Sequence, residues 1–329
     1  MMNMYNRSGG LVKYAVLVYE GNIDLEKVKK ENIEIMKSEL PIPVNGLTGT
    51  GYSINIHERI KLFDYLREKK MGEIDIDELA ESTVDYMLPN ASKQEKEKAK
   101  ENYFNIIKTK KMEAYIISLP ATPEHSDPNI IITSNKSVFT VLNYLNIKQN
   151  MTFNLFSQIK INIDDFLLWV CWKAKKSKPF RGILIRNIVK DETEDSAYAA
   201  RTQTEKGGNG VLSSSDFQYR IGRGFPLRSL VFSIIEQDIG AKLEIGIFME
   251  DLDGPLMTVS NFNAYKDLRD KLTTTNNYDV SLDIHKKSLA IDAIYKLVDE
   301  YGNDSKTWQS EKQSFILEQQ EEAEKTRQR

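Results

Sequence analysis

The first third of the chain carries apolar residues mainly at helical spacing. Within residues 57–70, Ile60, Phe63 and Leu66 recur every third position, which is typical of one helix face. Ser92 and Glu95 have the spacing of a capping box, which marks a helix start. We therefore predict a mostly helical N-terminal portion over residues 1–111 with one leading strand. The strand is predicted at 11–19 and the helices at 24–40, 57–70, 76–87 and 92–111.

From residue 112 onward, alternating apolar and polar positions become common, and this alternation predicts strands. A short helix is predicted at 137–145. The pattern favours an α+β fold with a helical N-terminal portion, a central mixed or antiparallel sheet and a helical C-terminus. We place the domain boundary between residues 111 and 112, so that 112–329 forms the larger α+β portion. Strands are predicted at 112–120, 129–134, 153–163, 181–189, 226–235, 241–249 and 255–260.

Three further helices are predicted near the C-terminus, at 264–272, at 284–301 and from about residue 306. Residues 164–176 form a different kind of helix, because they are apolar on nearly every side and must be buried. The segment from Glu318 onward has almost no apolar residue, so we expect it to project or fray.

Composition narrows the classes of protein that the chain can represent. Its 329 residues suffice for a large core, and its 40% hydrophobic content is typical of globular proteins. The single cysteine, Cys171, excludes an intrachain disulfide and a multi-cysteine zinc site, and its apolar neighbours indicate a buried thiol. No apolar run approaches the roughly 20 residues of a membrane span, so we expect a cytoplasmic protein without a membrane partner.

Charge is the most informative feature. The chain has a net charge of −3, yet residues 173–190 contain seven lysines and arginines and no acid. A second basic cluster follows at 220–228. Cations in such clusters bind nucleic acid by neutralising phosphates, and Phe180, Tyr219 and Phe225 offer surfaces for stacking on unpaired bases. The nucleic-acid-binding residues predicted on this basis are Lys173, Lys175, Lys176, Lys178, Arg181, Arg220, Arg223 and Arg228.

The same cations have a second, purely structural interpretation. Lys173, Lys175 and Lys176 end the helix predicted at 164–176, where positive charge complements the helix dipole. The later cations suit the solvent face of a strand. Four acids within residues 191–195 suit a solvated loop or a set of counter-charges. The two interpretations differ in one observable, namely whether the two basic clusters share a surface.

A nuclease is the alternative function. Metal-dependent nucleases place carboxylates and a lysine around Mg²⁺ on a strand, and Glu236, Asp238, Lys242 and Glu244 provide those groups. The order Lys-x-Glu reverses the usual Glu-x-Lys, and a solvated edge strand explains the residues equally well. Outside this alternative we predict neither a cofactor nor a metal.

The remaining patterns carry little chemistry. The glycine-rich segment 46–51 lacks the Gly-Lys-Ser/Thr of a phosphate loop, and the three histidines are scattered. The terminal helices suit a third hypothesis, a non-enzymatic assembly or adaptor protein that forms a homo-oligomer or binds a protein partner, for example in a microbial defence complex. Our leading expectation is a non-enzymatic, cytoplasmic nucleic-acid-binding protein with a localised basic surface.

Overall fold

The computed structural model describes most of the chain, and its described residues form two compact units. The larger unit comprises the described residues of 1–24, 36–53 and 114–329, and the smaller unit those of 25–35 and 54–113. The described residues are 12–28, 32–39, 44–61, 76–104, 106–121, 128–158, 161–195, 200–205, 210–249, 254–264 and 278–327.

The described strands belong to one sheet. Ten follow the order β2-β3-β4-β5-β1-β11-β10-β9-β7-β8, and β6 pairs with β1 off this path. The pairings of β1 with β5 and β11, and those along β11-β10-β9-β7-β8, are antiparallel. The strands are β1 (Tyr14–Glu20), β2 (Ile33–Glu39), β3 (Thr50–Lys61), β4 (Ile107–Ser118), β5 (Pro128–Ser134), β6 (Thr152–Asn154), β7 (Ile183–Asp195), β8 (Ala200–Glu205), β9 (Leu227–Glu236), β10 (Ala241–Phe248) and β11 (Leu256–Ala264).

The described helices are short, apart from three of moderate length and one that is very long. The α-helices are α1 (Leu25–Val28), α2 (Ile76–Met87), α3 (Lys93–Phe104), α4 (Val138–Tyr144), α5 (Leu155–Gln158), α6 (Ile163–Lys176), α7 (Ser215–Gly222) and α8 (Tyr278–Arg327). Single 3₁₀ turns occupy Asn135–Ser137, Gln149–Met151 and Val211–Ser213.

The predicted fold class is wrong in its N-terminal part, because strands β1, β2 and β3 and the start of β4 lie within residues 1–111, which were predicted to be mostly helical. The helix predicted at 24–40 is a four-residue helix followed by β2, in which the inward Ile33 precedes the outward Glu34. The helix predicted at 57–70 begins inside β3, where Ile54 and Ile56 are fully buried. Residues 62–70 lie outside the described part. Alternation and β-branched side chains prevail here over the three-residue spacing.

Two N-terminal helices are present as α2 and α3. Ser92 and Glu95 form the capping box, since the Ser92 amide donates to Glu95 Oε2 at 2.8 Å and the Glu95 amide donates to Ser92 Oγ at 3.4 Å. The helix predicted to reach residue 111 ends at Phe104, and β4 begins at Ile107.

The main core of the larger unit lies between the sheet and its helices. Residues of one sheet face, including Phe232 and Ile245, pack with apolar residues of α5, α6, α7 and α8. Helix α6 is buried as predicted, with Phe166, Trp169 and Cys171 inaccessible to solvent. Burial raises the pKa of the Cys171 thiol well above its ordinary value, so this cysteine is an inert core residue.

The C-terminus is a single helix of 50 residues, about 75 Å long, and not the two helices predicted there. It passes through Gly302, which lies between the two predicted helices. The tail does not project as expected, because Gln319 and Ala323 are buried against the rest of the unit. The helix predicted at 264–272 falls almost wholly outside the described residues. Within the described part of the chain, no helix is long and apolar enough to cross a membrane.

Candidate polyanion-binding site

Helix α6 presents the first basic cluster. Asn162 caps its start, where Asn162 Oδ1 accepts a hydrogen bond from the Asp165 amide at 3.2 Å. Ser177 ends it in the left-handed conformation, with φ of 49°. Lys173, Lys175 and Lys176 therefore lie in the last turn, where their charges complement the helix dipole.

We name the first of two anion sites on α6 the inner cradle, formed by Trp169 and Lys173. Trp169 Nε1 donates to Asp304 Oδ2 at 3.2 Å, and Lys173 Nζ lies 2.7 Å from the same oxygen. Lys173 also lies 2.7 Å from Glu300 Oε1. Its side chain is only 10% exposed. Burial alone would lower the pKa of Lys173, but the hydrogen bonds to Asp304 and Glu300 raise it above its ordinary value.

The outer cradle repeats this arrangement three residues later with Trp172 and Lys176. Trp172 Nε1 donates to Glu311 Oε2 at 3.2 Å, and Lys176 Nζ donates to the same oxygen at 2.8 Å. Lys176 Nζ also lies 3.7 Å from the centre of the Trp172 ring. The hydrogen bond from Lys176, supported by that from Trp172, lowers the pKa of Glu311. Here the lysine is 37% exposed and the carboxylate 45% exposed.

The neighbouring cations also pair with α8. Lys175 Nζ lies 2.9 Å from Glu322 and 3.1 Å from Glu318. Arg181 Nη1 lies 2.7 Å from Asp299. The carboxylates that form ion pairs with the first basic cluster lie along about 35 Å of α8. Their spacings keep most of them near one face of the helix. This acidic row consists of Asp299, Glu300, Asp304, Glu311, Glu318 and Glu322.

Between the outer cradle and α8 lies a groove of about 360 Å³, lined by Trp172, Lys175, Lys176, Glu311, Ser314, Phe315 and Glu318. Trp172 and Phe315 are buried in its floor. Its lining therefore includes two cations, Lys175 and Lys176, and two carboxylates, Glu311 and Glu318. Lys178, which follows α6, is exposed and pairs with no carboxylate in the described part of the chain.

Arg181 owes its position to a two-residue hairpin turn. Phe180 and Ile183 exchange backbone hydrogen bonds of 2.8 and 2.7 Å, and Arg181 and Gly182 between them have φ of 44° and 77°. Two positive φ values are the mark of a type I′ turn. The turn places Phe180 against Trp169, so this predicted stacking residue is buried and faces the core.

A buried carboxylate, Asp165, holds the start of α6 against α8. Asp165 Oδ2 accepts from Trp308 Nε1 at 3.0 Å and from the Tyr301 hydroxyl, and Asp165 Oδ1 accepts from Lys312 Nζ at 2.6 Å. Burial alone would raise the pKa of Asp165, but these three donors outweigh it and lower the pKa. The neighbouring Asp164 accepts from the Leu227 amide at 2.6 Å, which ties α6 to β9.

The second basic cluster divides between structural and exposed positions. Arg220 is buried and lies 2.9 Å from Asp191, which is itself fully buried. Arg228 forms an ion pair with Glu194. The acidic run therefore supplies counter-charges to this cluster.

Arg223, the third member of the second cluster, is exposed. Its pKa is raised first by the Tyr219 hydroxyl and also by the field of Glu324 on α8. Lys175 reaches the same end of α8, where Gln218 Nε2 also donates to Glu322 at 3.0 Å. One exposed member of each basic cluster, Lys175 and Arg223, is thus influenced by acids at the C-terminal end of α8.

The four nuclease residues are not brought together. Glu236 is buried on the helix-facing side of the sheet, where it lies 2.8 Å from Lys296, and burial raises its pKa. Glu244 pairs with Ser233 across β10 and β9, so it lies on the opposite face, where Asn261 donates to it at 2.6 Å. Lys242 shares the face of Glu244, and Asp238 lies in the turn between β9 and β10.

Metal-binding geometry is not found in the described residues. No group of three or more histidines, cysteines and acids there is arranged to hold a metal ion. His125 lies outside the described residues. His285 is buried, and burial lowers its pKa even though its Nδ1 contacts the Ser281 carbonyl.

Several important residues were missed by the sequence reasoning, although their spacing was available. Trp169 and Trp172 each precede a lysine by four residues, which puts indole and ammonium on one helix face. In α8, Trp308 and Phe315 are seven residues apart, as are Glu311 and Glu318. A sustained seven-residue spacing predicts one continuous helix with adjacent apolar and acidic stripes.

No protein-family model matches the chain, and no curated protein has a sequence that matches it.

Proposed function

We propose that the chain is a non-enzymatic, cytoplasmic nucleic-acid-binding protein whose exposed cations around the outer cradle bind the phosphate backbone. The observation that carries the proposal is the outer cradle itself. There, an indole N–H and an ammonium converge on one anionic oxygen in a solvent-accessible place. A phosphate oxygen has the charge and the hydrogen-bonding capacity of the Glu311 oxygen that occupies this place.

Five of the eight predicted cations fit this role because they are themselves exposed, although Arg181 also lies 3.9 Å from the poorly exposed Glu300. The outer cations are Lys175, Lys176, Lys178, Arg181 and Arg223. Arg220 is excluded because it is buried with Asp191, and Lys173 because it is enclosed by Glu300 and Asp304. Arg228 is half-buried and committed to Glu194. Withdrawing any of these three from its partner would strand a poorly solvated carboxylate.

The arrangement supports contact with a backbone more than reading of bases. Phe180 and Trp172 are buried, and Tyr219 and Phe225 are half-buried, so none of these rings is fully exposed for stacking. We therefore expect affinity without strong sequence preference, in which the salt dependence reports the number of phosphates neutralised.

Binding to a fluorescently labelled oligothymidine of about 20 nucleotides, and to the corresponding RNA, tests the proposal. We expect log affinity to fall with log salt at a slope of about −3.5, as for five phosphates neutralised on a single strand. The triple variant Lys175→Gln, Lys176→Gln, Lys178→Gln should lose about ten-fold or more in affinity at low salt.

The matched control changes three exposed lysines of the smaller unit, Lys61, Lys93 and Lys98, to glutamine, which alters the net charge by the same amount. This control should bind as the unchanged protein does. If neither DNA nor RNA binds at low salt, or if both triple variants lose affinity equally, the proposed site is wrong.

A further inference from the structure

We infer that the outer carboxylates of α8, Glu311, Glu318 and Glu322, act as a built-in competitor that occupies the polyanion site when no nucleic acid is bound. The inference rests on the proposed function, whose site it regulates. Each of the three carboxylates contacts a cation that we assign to phosphate binding. The resting protein thus holds its own anions where the ligand's phosphates bind.

The carboxylates imitate the ligand in geometry. Glu311 receives two donors on one oxygen, and the two oxygens of Glu322 receive Lys175 and Gln218 separately, at 2.9 and 3.0 Å. Such convergent donors are the usual surroundings of a phosphate. Glu318 adds a second anion on Lys175 at 3.1 Å.

The ion pairs of Glu311 and Glu318 can exchange with solvent or with a ligand. Glu311 and Glu318 are 45% and 52% exposed, so a carboxylate that leaves its lysine is received by water. Their side chains can therefore rotate away without any movement of α8, whose Trp308 and Phe315 remain buried. Competition at the level of side chains needs no unfolding of the helix.

Tethering makes this competition effective. The three carboxylates share one rigid helix, so each is held beside its cation at a high effective concentration. An incoming phosphate must displace a carboxylate and then remains close to its negative charge. Each exposed pair contributes little by itself, and together the three are expected to lower the affinity for a polyanion about ten-fold.

The test replaces the three outer acids by glutamine, which keeps their shape and their capacity to accept from Trp172 and Lys176. Affinity of Glu311→Gln, Glu318→Gln, Glu322→Gln for the labelled oligothymidine should rise about ten-fold at low salt. A urea unfolding curve of the same variant, recorded without ligand, verifies that α8 stays docked.

The charge-matched control is Glu97→Gln, Glu101→Gln, Glu321→Gln, which removes three exposed acids that touch none of the outer cations in the described structure. The competitor inference holds if only the first variant gains affinity. It is overturned if both variants gain equally, because net charge then explains the effect, or if neither gains while the unchanged protein binds. Should no variant bind at all, the proposed function and the competitor fall together.

Discussion

The inner and outer cradles have the same arrangement of donors and acceptor, but they differ in their exposure to solvent. In each cradle, a tryptophan N–H and the lysine ammonium four residues later both donate a hydrogen bond to the same carboxylate oxygen of α8. Yet the lysine is 10% exposed in the inner cradle and 37% exposed in the outer one. Asp304 is 21% exposed and Glu311 is 45% exposed.

This difference separates a structural ion pair from an exchangeable one. The inner lysine is shared by two poorly solvated carboxylates, Glu300 and Asp304, so its removal leaves two like charges close together with little water. The outer lysine balances a carboxylate that water already solvates. A basic run in a sequence can therefore hold both kinds of cation within four residues, and only the second kind is available to a ligand.

The largest expected effect comes from breaking the inner cradle. We expect Lys173→Met to lower the free energy of unfolding by about 3 kcal/mol, because Glu300 and Asp304 lose their common counter-charge. Lys176→Met in the outer cradle should cost less than about 1 kcal/mol. Urea unfolding of the two variants at equal protein concentration measures both values, and equal losses would show that exposure does not separate the cradles.

The second prediction concerns Asp165, which anchors Trp308 and Lys312 of α8 to α6. Because its pKa is lowered in the folded state, its stabilising contribution is present above the unfolded-state value of about 4. That contribution is lost as the pH falls through the folded-state pKa. Asp165→Asn should cost about 2 kcal/mol at neutral pH, since a carboxamide cannot accept all three donors.

Unfolding free energies at pH 7 and at decreasing pH values below 4 check this prediction. Asp165→Asn should lose less stability with acid than the unchanged protein does, because its missing carboxylate no longer titrates. Asp164, whose pKa is raised by burial, contributes in the opposite direction and is present in both proteins. If the two proteins show parallel losses in acid, Asp165 is not the group responsible.

The sequence predicts much of the fold where the period is unambiguous. Residues in β9 and β10 alternate or run apolar within turn-bounded segments, and α6 is apolar on all sides, so these elements are found where expected. The prediction is wrong where two periods coexist, as in 24–40 and 57–61. There, the pairing of β2 with β3 in the sheet decides the structure, and pairing is not visible in a local pattern.

The candidate site is predictable in part for a similar reason. The basic run marks the surface that we propose as the site, but it does not reveal which cations are already paired, because their partners lie more than 100 residues away on α8. Arg220 illustrates the limit, since nothing adjacent in the sequence indicates that it is buried with Asp191. The seven-residue spacing of Glu311 and Glu318 indicates an acidic stripe on one helix, but it does not indicate which cations that stripe contacts.

The smallest expected effect concerns the packing of α7 against the C-terminal end of α8, where the acidic row ends. A Cβ on Gly222 would lie 2.7 Å from Gln320 Cα, and a backbone atom cannot rotate aside. We expect Gly222→Ala to cost about 1 kcal/mol by forcing the end of α8 away from α7, although alanine favours helices over glycine. The contrasting variant is Gly302→Ala, where nothing lies within 4 Å and a gain of about 1 kcal/mol is expected. Urea unfolding measures both changes. A stabilising Gly222→Ala would mean that helix propensity, and not close docking of α8, governs the outer end of the acidic row.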